Sequence, residues 1–173
     1  MRGMIDAVET VLDQGNRLLE SLDQTEFTQV LPLANGATIG GHYRHGLEHF
    51  RQLLAGVETG AIDYDARDRD LVVESDRIEA MKATKNLKSS LKQLSTHSTE
   101  DPLEVKCGIT YGDEDAGAAS STLGRELIFC ISHAIHHYAI IALILRSEQK
   151  SLPEGFGVAP STVRHRLRLA GNR

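Results

Sequence analysis

Two short segments hold histidines at helical spacing. His133 and His137 stand four apart in Ser132-His133-Ala134-Ile135-His136-His137-Tyr138, and His42, His45 and His49 stand three and four apart in the first half of the chain. On a helix, residues three or four apart sit one above the other. The rise across four residues is about 6 Å, so two such imidazoles can reach one ion at roughly 2.1 Å each. A lone histidine is ordinarily a core or surface residue bonded to its neighbours. Three on one face are harder to explain that way, because unpaired imidazoles are costly to bury and exposed ones have no reason to align. The zinc-protease pattern H-E-x-x-H shares the His133/His137 spacing but places a glutamate general base after its first histidine. Here that residue is Ala134, which argues against protease chemistry and leaves metal binding as the reading.

The elements that must position these residues follow from apolar periodicity. Met4, Val8, Val11, Leu12, Leu18, Leu19 and Leu22 form a stripe that predicts a helix over about 4–22. Thr38 is a candidate N-cap for a second, over about 39–57, whose stripe is Ile39, Tyr43, Leu47, Phe50, Leu54 and Val57. The acidic connector over 56–70 reads as a solvated surface loop. A third helix is expected over about 71–96, with Leu71, Ile78, Met81, Leu87, Leu91 and Leu94 inward and Lys82, Lys85, Lys88 and Lys92 on a solubilising face. The stretch 97–121 is the least helical. It reads as an irregular or hairpin insertion turning across Gly112-Asp113-Glu114-Asp115 and returning along 117–121. A fourth helix, over about 122–148, carries the second histidine pair. A short last helix, Thr162 to Leu169, follows a Pro/Gly-rich break; its Arg164, His165, Arg166 and Arg168 read as a solvated face. The expectation is one all-α domain over 1–173, a four-helix bundle in which the two histidine faces meet.

Composition narrows the function classes. The chain is 40% hydrophobic and 25% charged, with 5% aromatic residues and no tryptophan. Its core must therefore come from aliphatic side chains. A formal net charge of −5 argues against binding nucleic acid through bulk charge. Two cysteines make no disulfide framework, the first residues lack the apolar core of a signal peptide, and the apolar run 139–145 is short for a bilayer. A cytoplasmic protein with no membrane partner is expected.

Two segments resemble the DinB/YfiT-like superfamily of metal-binding helical bundles. Thr38-Ile39-Gly40-Gly41-His42-Tyr43-Arg44-His45-Gly46-Leu47-Glu48-His49-Phe50 is similar to the family's second-helix pattern, whose metal-ligand histidine falls by position at His45. Leu123-Gly124-Arg125-Glu126-Leu127 through Tyr138 is similar to its H-x-x-x-H segment, with ligands at His133 and His137. His42 and His49 stand as replacements for His45 or additions to it. Many members carry Arg-Gly after the last ligand, where this chain has Tyr138-Ala139.

The resemblance implies a divalent metal on His45, His133 and His137 with open positions for water or substrate. Zinc or nickel comes first, then iron or manganese. It further implies a thiol transferase or a hydrolase acting on a small molecule, with a low-molecular-weight thiol such as bacillithiol or mycothiol as cosubstrate, and a homodimer. Glu126, two turns before His133, is the candidate catalytic residue, as general base or as an acceptor orienting an imidazole; an ion pair with Arg125 is the alternative. Cys130 reads as a buried thiol rather than a fourth ligand, and His136 as peripheral. The competing reading is a non-catalytic metal- or ligand-binding bundle.

Overall fold

The computed structural model describes residues 1–34, 36–111 and 117–171. In chain order it contains α1 (Arg2–Ser21), α2 (Gln24–Thr28), α3 (Ile39–Thr59), β1 (Ala61–Asp63), α4 (Leu71–Ser75), α5 (Arg77–Lys92), β2 (Pro102–Cys107), β3 (Gly117–Thr122), α6 (Leu123–Ser147) and α7 (Pro160–Gly171). Helix α1 packs on α5 and α6, and α3 packs on the same two helices. Between them lies a core of Val8, Leu12, Leu18 and Leu19 from α1, Tyr43, Leu47, Phe50 and Leu53 from α3, Leu87 and Leu91 from α5, and Leu127, Ala134, Tyr138 and Ile141 from α6. Lys92 of α5 pairs with Glu9 of α1 at 2.9 Å, and Lys88 pairs with Asp13, so part of the expected solubilising face ties two helices together.

The expectation of an all-α four-helix bundle is corrected by a three-stranded mixed sheet in the order β1-β2-β3. Strand β1 pairs parallel with β2, Ile62 opposite Val105. Strand β2 pairs antiparallel with β3, Leu103 opposite Ser121 and Val105 opposite Ala119. The expected turn at 112–115 lies outside the described residues. Because β1 and β2 are parallel, the chain must cross between them, and α4 and α5 supply that crossover. The acidic connector is thus no plain surface loop. Gly60, in the left-handed conformation at φ 79°, ends α3 and turns the chain directly into β1. Tyr64, just past the strand, is buried. Three residues are too few to display a period of two, so β1 left no pattern to read.

Local capping explains two further differences. The third expected helix is two helices, because Asp76 ends α4 and its carboxylate accepts from the Ile78 and Glu79 amides to start α5. Asp70 caps α4 in the same way. In the segment after α1, Asp23 and Glu26 form a reciprocal capping box that starts α2.

Helix α6, 25 residues long and holding an 18-residue stretch with a mean hydropathy of 1.9, is long and apolar enough to cross a membrane; the seven-residue run taken alone understated this. In this fold its apolar face packs on α1 and α3, and it carries Glu126, His133 and His137. Phe156, in the segment before α7, is buried against α6 with its ring 4.9 Å from Tyr138. On the far side, Gly15 of α1 lies against the Tyr138 and Tyr43 hydroxyls: a Cβ there would stand 2.2 Å from one and 2.9 Å from the other. Tyr138 is held between Tyr43 and Phe156 and cannot swing away. Gly15→Ala should therefore destabilise the fold by about 1–3 kcal/mol despite alanine's better helix propensity. Urea unfolding would measure it, and a rise in stability would show that the tyrosines yield.

Candidate metal centre

The centre is built between α3 and α6, which pack on each other. Gly46 of α3 faces the Ala134 backbone of α6, and a Cβ added to the glycine would make van der Waals contact with Ala134 Cα at 3.9 Å. These residues directly follow His45 and His133, so the close approach of the two backbones brings the imidazoles together. His133 Nε2 lies 2.9 Å from His45 Nε2 and 3.2 Å from His137 Nε2. The three histidines singled out in the sequence are thus in one cluster.

His49 joins them. One ring nitrogen from each of His45, His49 and His133 lies within 4.8 Å of the other two, so these three could hold a metal ion. The His49 and His133 ring centroids are 3.9 Å apart. The tautomer of His49 follows from its contacts: Nδ1 is 3.0 Å from the His45 carbonyl, which only accepts, so Nδ1–H donates and Nε2 keeps its lone pair. His42 reaches the cluster through His137, with their Nδ1 atoms 3.1 Å apart, while its own Nε2 is buried without a partner among the described residues. His136 is exposed beside the cluster.

The donor set fits a cation better than it fits hydrogen bonds alone. An imidazole nitrogen offers either one N–H or one lone pair, yet His133 Nε2 has two nitrogen neighbours at hydrogen-bonding distance. One hydrogen bond leaves the second contact unmatched, whereas a shared cation would use every lone pair.

The site also disfavours protons. Burial first, then neighbouring imidazoles, lowers His133 from 6.5 to about 4, His137 to about 3 and His45 to about 2. His49 and His42 are lowered too, mainly by burial. Unfolded histidines titrate near pH 6.5. Below that the unfolded chain binds more protons than the folded one, so stability rises with pH. It is fully present above the unfolded value and is lost as pH falls toward 4 and below. The thermal midpoint of metal-free protein should hold near neutrality and drop steadily from about pH 6.5 downward. His133→Gln should flatten that slope; an equal slope in the variant would mean other groups cause it.

Two aromatic rings line one side of the cluster. The Tyr64 ring lies 5.2 Å from that of His49 at 22°, and the Phe129 ring 5.6 Å from that of His133 at 26°. Phe129 lies one turn before His133 on the same face of α6, and that spacing was available in the sequence. Tyr64 comes from the connector after β1, and nothing local marked it. Its hydroxyl donates to Glu126 Oε2 at 2.8 Å, and Ser121 and Arg125 donate to Oε1 at 2.5 and 3.0 Å. Glu126 is buried, and among the described residues these are its side-chain partners. It reaches His49 only through Tyr64 and touches no imidazole directly. The Arg125 ion pair weighed in the sequence is present. Cys130 is also buried, 3.6 Å from the Tyr64 hydroxyl, and burial pushes its thiol up to about 12. It is therefore a neutral thiol rather than a ready thiolate ligand. Glu48 turns away to Arg44 and the Asp70 amide.

No family model matches the chain. Among curated proteins it is similar to FK506-binding protein 5 of Rhizopus delemar, 38% identical over 104 residues. That match covers 60% of this chain and 27% of the fungal protein, so the chain spans about a quarter of the length of the relative it matches. Surface clefts lie elsewhere on the molecule: one of about 450 Å³ is lined by Arg51, Leu54, Asp70 and Asn86. Another of about 570 Å³ lies between α1 and α7, beside Gln14 and Arg166.

Proposed function

We propose that this chain is a metal-dependent enzyme of the DinB/YfiT-like kind that binds a divalent ion, zinc or nickel, on the imidazoles of α3 and α6. His45 and His133 belong to both possible donor triads, and His49 and His137 complete one each. The observation that carries the reading is His133 Nε2 with two nitrogen neighbours, at 2.9 and 3.2 Å, that hydrogen bonding alone leaves mismatched. A divalent ion there supplies the Lewis acidity that ionises water or a small thiol at neutral pH.

This chain's own residues do the rest. The His45 carbonyl holds His49 in the ligating tautomer, and His42 orients His137. Tyr64 and Phe129 pack on His49 and His133 and fix their rings. Glu126 acts as a positioning residue, fixing Tyr64 against His49. The substrate class is a small electrophile that accepts a thiol, or a small hydrolysable molecule.

The test is metal analysis of the purified protein, followed by assay against chlorodinitrobenzene with and without an added low-molecular-weight thiol. Stoichiometric zinc or nickel with thiol-dependent turnover supports the transferase form, and thiol-independent hydrolysis of nitrophenyl esters supports the hydrolase form. Stripped protein that takes up neither metal overturns the reading. The 38% identity favours a second reading, FK506 binding, as the name of the fungal protein says. Calorimetric titration with FK506 separates the two, because saturable binding to protein freed of metal would favour the second.

A further inference from the structure

A groove runs along the side of α6 that faces away from the histidines. Ile131 and Ile135 stand about half a turn round the helix from His133 and His137. One cleft, of about 590 Å³, lies over Ile128, Ile131 and Ile135 and reaches Arg164 of α7. A second, of about 220 Å³, shares Ile131, Ile135 and Pro160 with the first and continues beside Val11 of α1. The segment before α7 forms one wall, and it is fixed in place. Phe156 is buried, and Gly157, at φ 69°, lies so close to α6 that a Cβ there would stand 2.7 Å from the Tyr138 carbonyl. The groove is therefore formed before anything enters it.

Its lining suits a small amphiphile: mostly apolar, with a few polar groups at one end. Ile128 is 54% exposed, and with the partly buried Ile131 and Ile135 it leaves a stripe of apolar surface to water. Among the described residues, Arg164 is the one charged side chain lining either cleft. No carboxylate among those residues pairs with it within 4.0 Å. Ser132 and Ser161 line the same end. A ligand that satisfies this groove carries one negative charge at one end and hydrocarbon along the rest. The narrow part decides between a lipid chain and a helix of a partner protein. One turn of α-helix, about 10 Å across, fills roughly 400 Å³, so the cleft of about 220 Å³ excludes it and admits only a thinner chain. We infer that this groove binds a long-chain fatty acid, its carboxylate on Arg164 and its tail over Ile131 and Ile135 toward Val11. Guanidinium presents a planar fork that matches a carboxylate bidentately. The site is separate from the histidine centre and does not rest on the metal reading.

The test is displacement of cis-parinaric acid, a fluorescent fatty acid, by palmitate and by hexadecanol, each below its aggregation limit. Parinarate should bind saturably, one per chain. Palmitate should displace it about tenfold more readily than hexadecanol, the scale of one charge-assisted hydrogen bond. High salt should narrow that gap, because Arg164 is exposed. Arg164→Gln should close the gap and leave hexadecanol binding as it was. Ile128→Asp, a change at an exposed position, should weaken parinarate binding about tenfold while the circular-dichroism melt stays that of wild type. His133→Ala should bind palmitate as wild type does. Absence of saturable parinarate binding, equal displacement by palmitate and hexadecanol, or an unchanged gap in Arg164→Gln overturns the inference. So does a dimer in sedimentation velocity that Ile128→Asp splits and that admits no parinarate, since a second copy of the chain would then be the occupant.

Discussion

Replacing His133 with alanine should abolish tight metal binding. This is the largest effect expected of any single substitution, because His133 Nε2 contacts His45 and His137 at once and its ring lies closest to His49. Whichever third imidazole completes the set, a triad without His133 loses its centre. Losing an outer partner of a ligand typically costs about 10–100-fold in metal affinity, and losing the ligand should cost more. His45→Ala should come next, and His49→Ala and His137→Ala should differ from each other according to which of the two ligates. Competition with a chromogenic chelator measures each constant. Uniform wild-type affinity across all four variants would end the case for a histidine centre. The fold should survive His133→Ala, since relieving crowded, desolvated imidazoles offsets the lost packing.

Glu126→Ala should have the second-largest effect, and mainly on stability. The carboxylate is 1% exposed and accepts from Tyr64, Ser121 and Arg125. Truncation leaves the buried Tyr64 hydroxyl without its acceptor and opens a void, for a cost of about 3 kcal/mol. Tyr64 also loses its fixed position against His49, so metal affinity should fall, by less than the about 10–100-fold typical of a ligand's own hydrogen-bond partner. Glu126→Gln keeps the shape but places an amide among donors, and should show a smaller version of both changes. A general base would behave differently: Glu126→Gln would then eliminate turnover while leaving stability and metal affinity in place. Chemical denaturation together with chelator competition distinguishes the two roles.

Much of the site was legible because helices repeat. Once His133 and His137 fall four apart on an amphipathic run, any helix there puts them on one face, and α6 does so. The same reasoning placed His42, His45 and His49 on one side of α3, and Thr38 caps that helix as its sequence suggested. Phe129 was equally readable, one turn before His133, but drew no attention because an aromatic at that spacing is ordinarily core.

What stayed hidden depended on contacts between distant segments. Strand β1 spans only Ala61–Asp63 and exists because β2, some forty residues on, offers it a parallel partner. Tyr64 reaches His49 through that pairing, which no local pattern records. The break at Asp76 was open to inspection, since aspartate is a strong cap, yet the apolar stripe ran through it unbroken.

By itself the sequence determined the long helices and the alignment of histidines on α3 and α6, because a 3.6-residue repeat converts spacing into direction. Only the tertiary structure decided that His49 joins the cluster and that Glu126 serves Tyr64 rather than an imidazole. It alone also shows a mixed sheet carrying Tyr64 to the site, since these outcomes depend on which surfaces meet, and that is set by packing across the whole chain.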